Sequence, residues 1–411
     1  MTLPDPVTDA SDDRSGSDEE TPLEDPVLAE DDGALLPPSP RVVPVSIPGP
    51  GVFEAFGWLV GVIMLHLVAT AITIMMVVLV LVIVRNDPKL LSDQQQLQLA
   101  INDQIGLVMG GDQLLFVIAV TLLVGLRLAV PPAPRSGPWT RLSNRLGRQK
   151  IRWPHLAMIV AIVIPVSVSC GQLFVVANRV WHQMLETLPG LPDVQTVQEV
   201  NVLSNLAEGL PLPALVFVLA VLPAIGEELV FRGVIGRGLV ARTGVVRGVF
   251  MTSLLFSVAH LHPAHQLSVF PLGVLLHVIY LATRSILAPI LLHFLVNGWA
   301  AVLAKASVSM KDQGAGAQLL GGDELMAWYV LLPAILASLG AVVFFWRSRI
   351  EFQEADGKWW WPIYRSVESP LGPAVATRLK SPLSLVTGLV GMLLCFYVMA
   401  GWEIYRLGGG G

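Results

Sequence analysis

Apolar runs long enough to cross a bilayer recur from Phe56 onward, and no other feature restricts the fold as strongly. A hydrocarbon core takes about 20 helical residues to cross, and lipid offers no partners for unpaired backbone groups. Runs near 56–84, 107–130, 156–178, 212–231, 246–261, 267–283, 286–304, 325–346 and 383–402 qualify, 246–261 and 267–283 being the shortest. The expected fold is all-α: a polytopic transmembrane helix bundle of eight or nine spans. Composition agrees, with 54% of 411 residues apolar and only 14% charged, against roughly 25% charged in soluble domains. Cys170 and Cys395 both sit inside apolar runs, which excludes a disulfide framework and a cysteine-rich zinc module. No basic stripe interleaved with aromatics exists, so nucleic acid is not an expected partner.

Charge divides the chain. Residues 1–50 hold twelve Asp/Glu against Arg14 and Arg41, a net −10, and ten of the 30 prolines. Such a segment cannot bury enough apolar surface to offset its ordering entropy, and it reads as a disordered acidic tail. It lacks the basic start and early apolar stretch of a signal peptide, so it reads as retained. Residues 51–210 then form N-terminal membrane helices and loops, 211–304 a polar-bearing core, and 305–411 C-terminal membrane helices. Lys and Arg concentrate in alternate connections. Seven fall in 127–152, four in 232–247, Arg284 stands alone, and six fall in 347–380. The positive-inside rule puts that side and the N-terminus in the cytoplasm, in a multi-pass protein expected in the plasma membrane. Trp359-Trp360-Trp361 read as an interfacial anchor. Gly57-x-x-x-Gly61 and Gly106-x-x-x-Gly110 suit close helix packing.

The informative residues are those an apolar helix should not carry. Glu227, Glu228 and Arg232 lie within 221-VLPAIGEELVFRGVIGRGL-239, where each charge at mid-membrane costs about 2.5–3.5 kcal/mol. Phe256 and His260 share a face of the next apolar run, and His293 and Asn297 share one on a later run, each pair being i, i+4. These groups can supply one another with partners. His66 and His277 read instead as hydrogen-bonded packing residues, and His262 and His265 as residues of an exposed loop. At 1.5 Å per residue, Glu227 lies about 18–23 Å from the outer boundary at Leu212–Leu215. His260 lies about 18 Å beyond Gly248, and His293 about 12 Å beyond Ser285. The three depths permit convergence.

Glu-Glu-x-x-x-Arg at 227–232, Phe-x-x-x-His at 256–260 and His-x-x-x-Asn at 293–297 occur in that order on successive apolar helices. Together they resemble the CAAX protease and bacteriocin-processing (CPBP, or ABI) family of intramembrane endopeptidases, which includes the CAAX prenyl endopeptidase. The resemblance covers about 211–304. It implies a catalytic set of Glu227, Glu228, Arg232, His260, His293 and Asn297. Its implied substrates are membrane-proximal peptides or proteins, prenylated CAAX tails among them, with the lipid bilayer as the other partner.

Helix geometry separates the two glutamates. Glu228 and Arg232 are spaced i, i+4 in the acid-first order that favours pairing, whereas Glu227 is turned about 100° away. Desolvation strengthens a carboxylate as a base, so Glu227 with His260 can activate water while His293 and Asn297 bind substrate or the oxyanion. Glu227, His260 and His293 also suit a catalytic zinc with an open position, and metal and metal-free chemistry stand level. A proton or ion relay in a transporter, or a non-catalytic immunity or binding scaffold, would use the same cluster.

The tail is expected to be dispensable for chemistry. A chain begun near Val52 should insert and retain wild-type peptide cleavage; loss of cleavage in folded protein would assign the tail a role.

Overall fold

The computed structural model describes residues 49–86, 88–129, 146–147, 150–188, 196–310, 325–350, 352–353, 359–360 and 383–408. The acidic tail up to residue 48 falls outside them, as do the side chains of Trp359-Trp360-Trp361. Twelve helices are present among the described residues. They are α1 (Val52–Arg85), α2 (Gln94–Asp103), α3 (Ile105–Ala129), α4 (Trp153–Ala161), α5 (Val163–Thr187) and α6 (Thr196–Gly209). They continue with α7 (Leu212–Thr243), α8 (Val245–Val258), α9 (Pro263–Thr283), α10 (Leu287–Met310), α11 (Trp328–Arg347) and α12 (Leu383–Gly408). The only described departure from helix besides turns is an antiparallel pairing of Phe352–Gln353 with Trp359–Trp360.

Eight of these helices are long and apolar enough to cross a membrane, and the chain is a multi-pass integral membrane protein. The remaining apolar run, 246–261, becomes α8, only 14 residues long. It stops early because Ala259–His262 form a tight reversal, Leu261 adopting φ 59°, and Pro263 starts α9. The helices α8 and α9 thus make one hairpin. Its two ends, Gly244 and Arg284, lie at the same end of the bundle.

That end is the one rich in Lys and Arg. Glu54 pairs with Arg127 at 3.0 Å, and Arg242 donates to the Gly49 carbonyl at 3.2 Å. Tyr280 donates to the Leu146 carbonyl at 3.2 Å, the Ile350 N–H to Ala282 at 2.9 Å, and His155 Nε2 meets Ser348 Oγ at 3.0 Å. The alternation read from the connections is therefore a physical juxtaposition of 49–54, 127, 146–155, 242 and 282–284 with 348–350. At the opposite end Lys305 donates to the carbonyls of Ala207 and Leu210, closing the end of α6, and Tyr329 bonds Glu403.

Prolines inside spans explain part of the helix–helix contact. Each removes an N–H and orphans the carbonyl four residues earlier, and in lipid that carbonyl needs a protein partner. Pro165 frees Ala161, whose carbonyl accepts from Tyr397 of α12 at 2.8 Å. Pro223 frees Leu219, whose carbonyl accepts from Asn297 of α10 at 3.1 Å. The helix α9 is the most enclosed span, 72% of its apolar window being buried against 11% for α1. The glycine expectation divides. A Cβ on Gly106 would press on Leu210, but one on Gly57 or Gly61 would meet nothing within 4 Å. These two glycines line an apolar groove between α1 and α3, beside Val120 and Leu123, and leave it open instead of closing the helices together.

Gly248 marks the tightest backbone approach in the α7–α8 turn: a Cβ there would lie 2.5 Å from the Val240 Cα. Backbone cannot yield as a side chain can. Gly248→Ala should therefore cost about 1–3 kcal/mol, the usual price of overpacking, read as a lowered Tm in detergent.

Candidate active site

The motif residues converge on α7. Its course is not uniform: π-type turns at Phe217–Val221 and Phe231–Ile235 bracket the Glu-Glu turn. Each wide turn inserts a residue and swings the remainder of the helix by about 100° around the axis. The bracketed segment, Leu222–Val230, carries Glu227 and Glu228.

Glu228 and Arg232 are both fully buried, so Arg232 does not reach out to the membrane surface. Arg232 Nη1 donates to Glu228 Oε1 at 2.8 Å, and Nη2 to the Gly273 carbonyl of α9 at 2.9 Å. Its guanidinium carbon also stands 4.5 Å over the Phe256 ring, a cation–π contact strengthened by desolvation. Glu228 Oε1 receives a second bond from His293 Nδ1 at 3.0 Å. A carboxylate beside an arginine only accepts, so His293 Nδ1 carries the proton and its Nε2 holds the lone pair.

That Nε2 lies 3.9 Å from Glu227 Oε2. Glu227 thus points away from the ion pair, as its helical position predicts, and its side chain keeps 19% of its surface accessible where Glu228 keeps none. The Oε2 atom itself is buried and has no protein partner among the described residues.

His260 is held differently. Its Nδ1 bonds the Phe256 carbonyl at 3.0 Å, and since a carbonyl only accepts, Nε2 again holds the lone pair. Phe256 is the shared wall, its ring edge-on to His260 at 5.1 Å and to His293 at 5.9 Å. Asn297, one turn past His293, uses Nδ2 on the Leu219 carbonyl. The structure therefore gathers Glu227, Glu228, Arg232 and His293 by direct approach, His260 by way of Phe256, and Asn297 as the clamp of α10 on α7. The histidine nearest Glu227 is His293, not His260.

Two expectations change. His262 is fully buried and the ring of His265 lies 4.8 Å from that of His260. Neither occupies an exposed loop, because α9 begins at Pro263 and carries His265 inward on its first turn. His277 is buried packing as expected, yet neither ring nitrogen has a hydrogen-bond partner among the described residues. Sequence reasoning did not find the Gly273 carbonyl as the second anchor of Arg232. No side-chain signal marks a carbonyl.

The zinc set can be tested against donor geometry. Two imidazole Nε2 lone pairs and a free carboxylate oxygen are the right donor types. Two ligands on a tetrahedral zinc with bonds near 2.0–2.1 Å stand about 3.3 Å apart, closer than the 3.9 Å between Glu227 and His293. No group of three His, Cys, Asp or Glu among the described residues is gathered for a metal ion. As arranged here, the residues do not form a ligand set.

Comparison with known proteins adds one match. Residues 209–299 match the family described as Rce1-like, Type II CAAX prenyl endopeptidase Rce1-like. That stretch runs from the end of α6 to Trp299, and holds every motif residue above. Nothing among curated proteins or solved structures matches the chain.

Because Glu228 and Arg232 are wholly buried together, removing either strands the other. Glu228→Gln and Arg232→Gln should each cost about 3–5 kcal/mol, and the double variant should recover part of that loss. Tm across the three variants checks it; no recovery in the double variant would show that the pair is not the stabilising unit.

Proposed function

We propose, on the premise that residues 209–299 form an Rce1-like domain of the CAAX protease family, that the chain is an intramembrane endopeptidase using Glu227 as general base. The observation that carries this reading is the buried, unpartnered Glu227 Oε2 facing His293 Nε2 at 3.9 Å. That spacing is too long for a direct bond and suits one bridging water. The neighbouring carboxylate is already neutralised by Arg232, so Glu227 is the one left to take a proton.

The chemistry follows from these positions. A water donating to Glu227 Oε2 gives up a proton to that carboxylate as its oxygen attacks the scissile carbonyl. The carbon becomes tetrahedral and its oxygen negative. The remaining Nδ2 hydrogen of Asn297 donates to the oxyanion, and the Nε2 lone pair of His260 accepts from a substrate N–H. Collapse of the intermediate breaks the C–N bond, and the proton held by Glu227 passes to the leaving amine. Glu228 and Arg232 hold His293 in the tautomer that keeps Nε2 toward the water.

The substrate is a peptide or protein presented at the membrane, and the prenylated CAAX tail is the leading class on the strength of the family match. The Lys- and Arg-rich end, where the N-terminal end of α1 and the α8–α9 hairpin ends meet, is the cytoplasmic face in this reading, with the plasma membrane as the site of action.

Purified protein in detergent should cleave a prenylated reporter peptide with no membrane gradient. Glu227→Gln should lower turnover by about 10²–10⁴-fold, the span typical of a lost general base, while Tm holds. Cleavage should persist in a rigorously metal-free sample. Loss on chelation with recovery on added zinc would replace this mechanism by a metalloprotease. Gradient-dependent solute flux lost in Glu227→Gln, without cleavage, would replace it by a transporter.

A further inference from the structure

Outside the family match, α1 and α3 carry a second polar group that the mechanism above does not use. His66 Nδ1 bonds Asp112, 3.1 Å to Oδ2 and 3.3 Å to Oδ1. Thr70 donates to Asp112 Oδ1 at 3.0 Å, and Gln113 Nε2 to Oδ2 at 3.2 Å. Asp112 is thus a carboxylate inside a membrane-spanning helix, only 7% of its side chain exposed, with three neighbours arranged to accept it. Such residues are expensive in lipid and face the interior of a bundle.

Glycine contacts lock this group onto the active-site helix. A Cβ at Gly111 would lie 2.4 Å from Thr73 Cγ2, which fixes α3 against α1 beside Asp112. The His66 ring stacks on Phe116 with centroids 4.0 Å apart. Phe116 in turn fills the space a side chain would need at Gly226, its Cε1 being 2.6 Å from where that Cβ would sit. Gly226 is the residue before Glu227. His66 is therefore one ring away from the turn that carries the proposed base. Asp112 only accepts, so His66 Nδ1 donates and Nε2 holds the lone pair.

We propose that His66, oriented by Asp112, is a positioning residue of the active site that holds the Glu227 carboxylate in register through a second water bound at its Nε2, distinct from the attacking one. The assignment rests on the endopeptidase reading, in which Glu227 is the base. A second water is the natural intermediary, because a lone pair and a carboxylate both accept and water can donate to each, and the attacking water's two hydrogens are already directed to Glu227 and His293. The Asp112–His66 arrangement on α1 and α3 thereby mirrors Glu228–His293 on α7 and α10. In each a carboxylate binds Nδ1 and leaves the Nε2 lone pair free. The N-terminal helices, in this view, complete the site rather than merely pack around it.

Two isosteric variants separate positioning from packing. Asparagine reproduces the Nδ1 position and keeps the Asp112 bond; glutamine places a polar group near the Nε2 position. On the prenylated reporter in detergent, His66→Asn should fold with unchanged Tm and lose at least about tenfold in kcat, with KM within about twofold. His66→Gln should retain more turnover than His66→Asn, and Asp112→Asn should also lower kcat more than it raises KM. Wild-type kcat in folded His66→Asn would overturn the proposal. So would losses in all three variants that only track the fraction of folded protein. Glu227→Gln, run alongside, keeps the two readings apart. If it cleaves normally the endopeptidase mechanism itself fails, whereas an inactive Glu227→Gln with an unaffected His66→Asn overturns only the role of His66.

Discussion

A single buried ion pair organises the active-site half of this protein. Glu228 and Arg232 have no accessible surface, and two charges so placed depend on each other and on further contacts. Glu228 Oε2 and Arg232 Nε find no hydrogen-bond partner among the described residues, but the other groups of the pair reach out to neighbouring helices. Arg232 extends to the Gly273 carbonyl on α9 and the Phe256 ring on α8, and Glu228 extends to His293 on α10. The pair thus ties four helices at one depth. It also fixes the His293 tautomer, which is what turns a structural contact into a chemical one. The cost of burying the pair is offset in contacts that give the site its shape.

A second constraint comes from the solvent. A carbonyl orphaned by proline has no water to turn to in a bilayer, so a side chain on a neighbouring helix must reach it. Asn297 does this for Leu219, and Tyr397 does it for Ala161. The Asn of the His-x-x-x-Asn motif therefore locks α10 against α7 at the height where His293 faces Glu227. Its position is set by backbone satisfaction.

How far the sequence could be read depended on the kind of signal. Length and apolarity located the spans well, because the bilayer is a ruler; the exception was 246–261, where α8 ends at Val258 since the chain must reverse before Pro263. Helical spacing separated Glu228 from Glu227 correctly, because i, i+4 pairing is local. It could not say which histidine would meet Glu227, nor that His262 and His265 would turn inward, since these depend on how α8, α9 and α10 are laid together. His66 read as an ordinary packing histidine because its partner, Asp112, lies 46 residues away on another helix.

The sequence alone therefore determined the membrane bundle, the side on which Lys and Arg collect, the motif residues and the acid–base pairing within one helix turn. All of these arise from composition or from contacts a few residues apart. Only the tertiary structure decided that Glu227 faces His293, that Phe256 walls both motif histidines, that Asn297 clamps a proline-freed carbonyl and that Asp112 holds His66 one ring away from the Gly226–Glu227 turn. Each is a meeting of different helices. Helix–helix approach is set by glycine contacts, wide turns and unpaired carbonyls acting together, and no local stretch of residues encodes that sum.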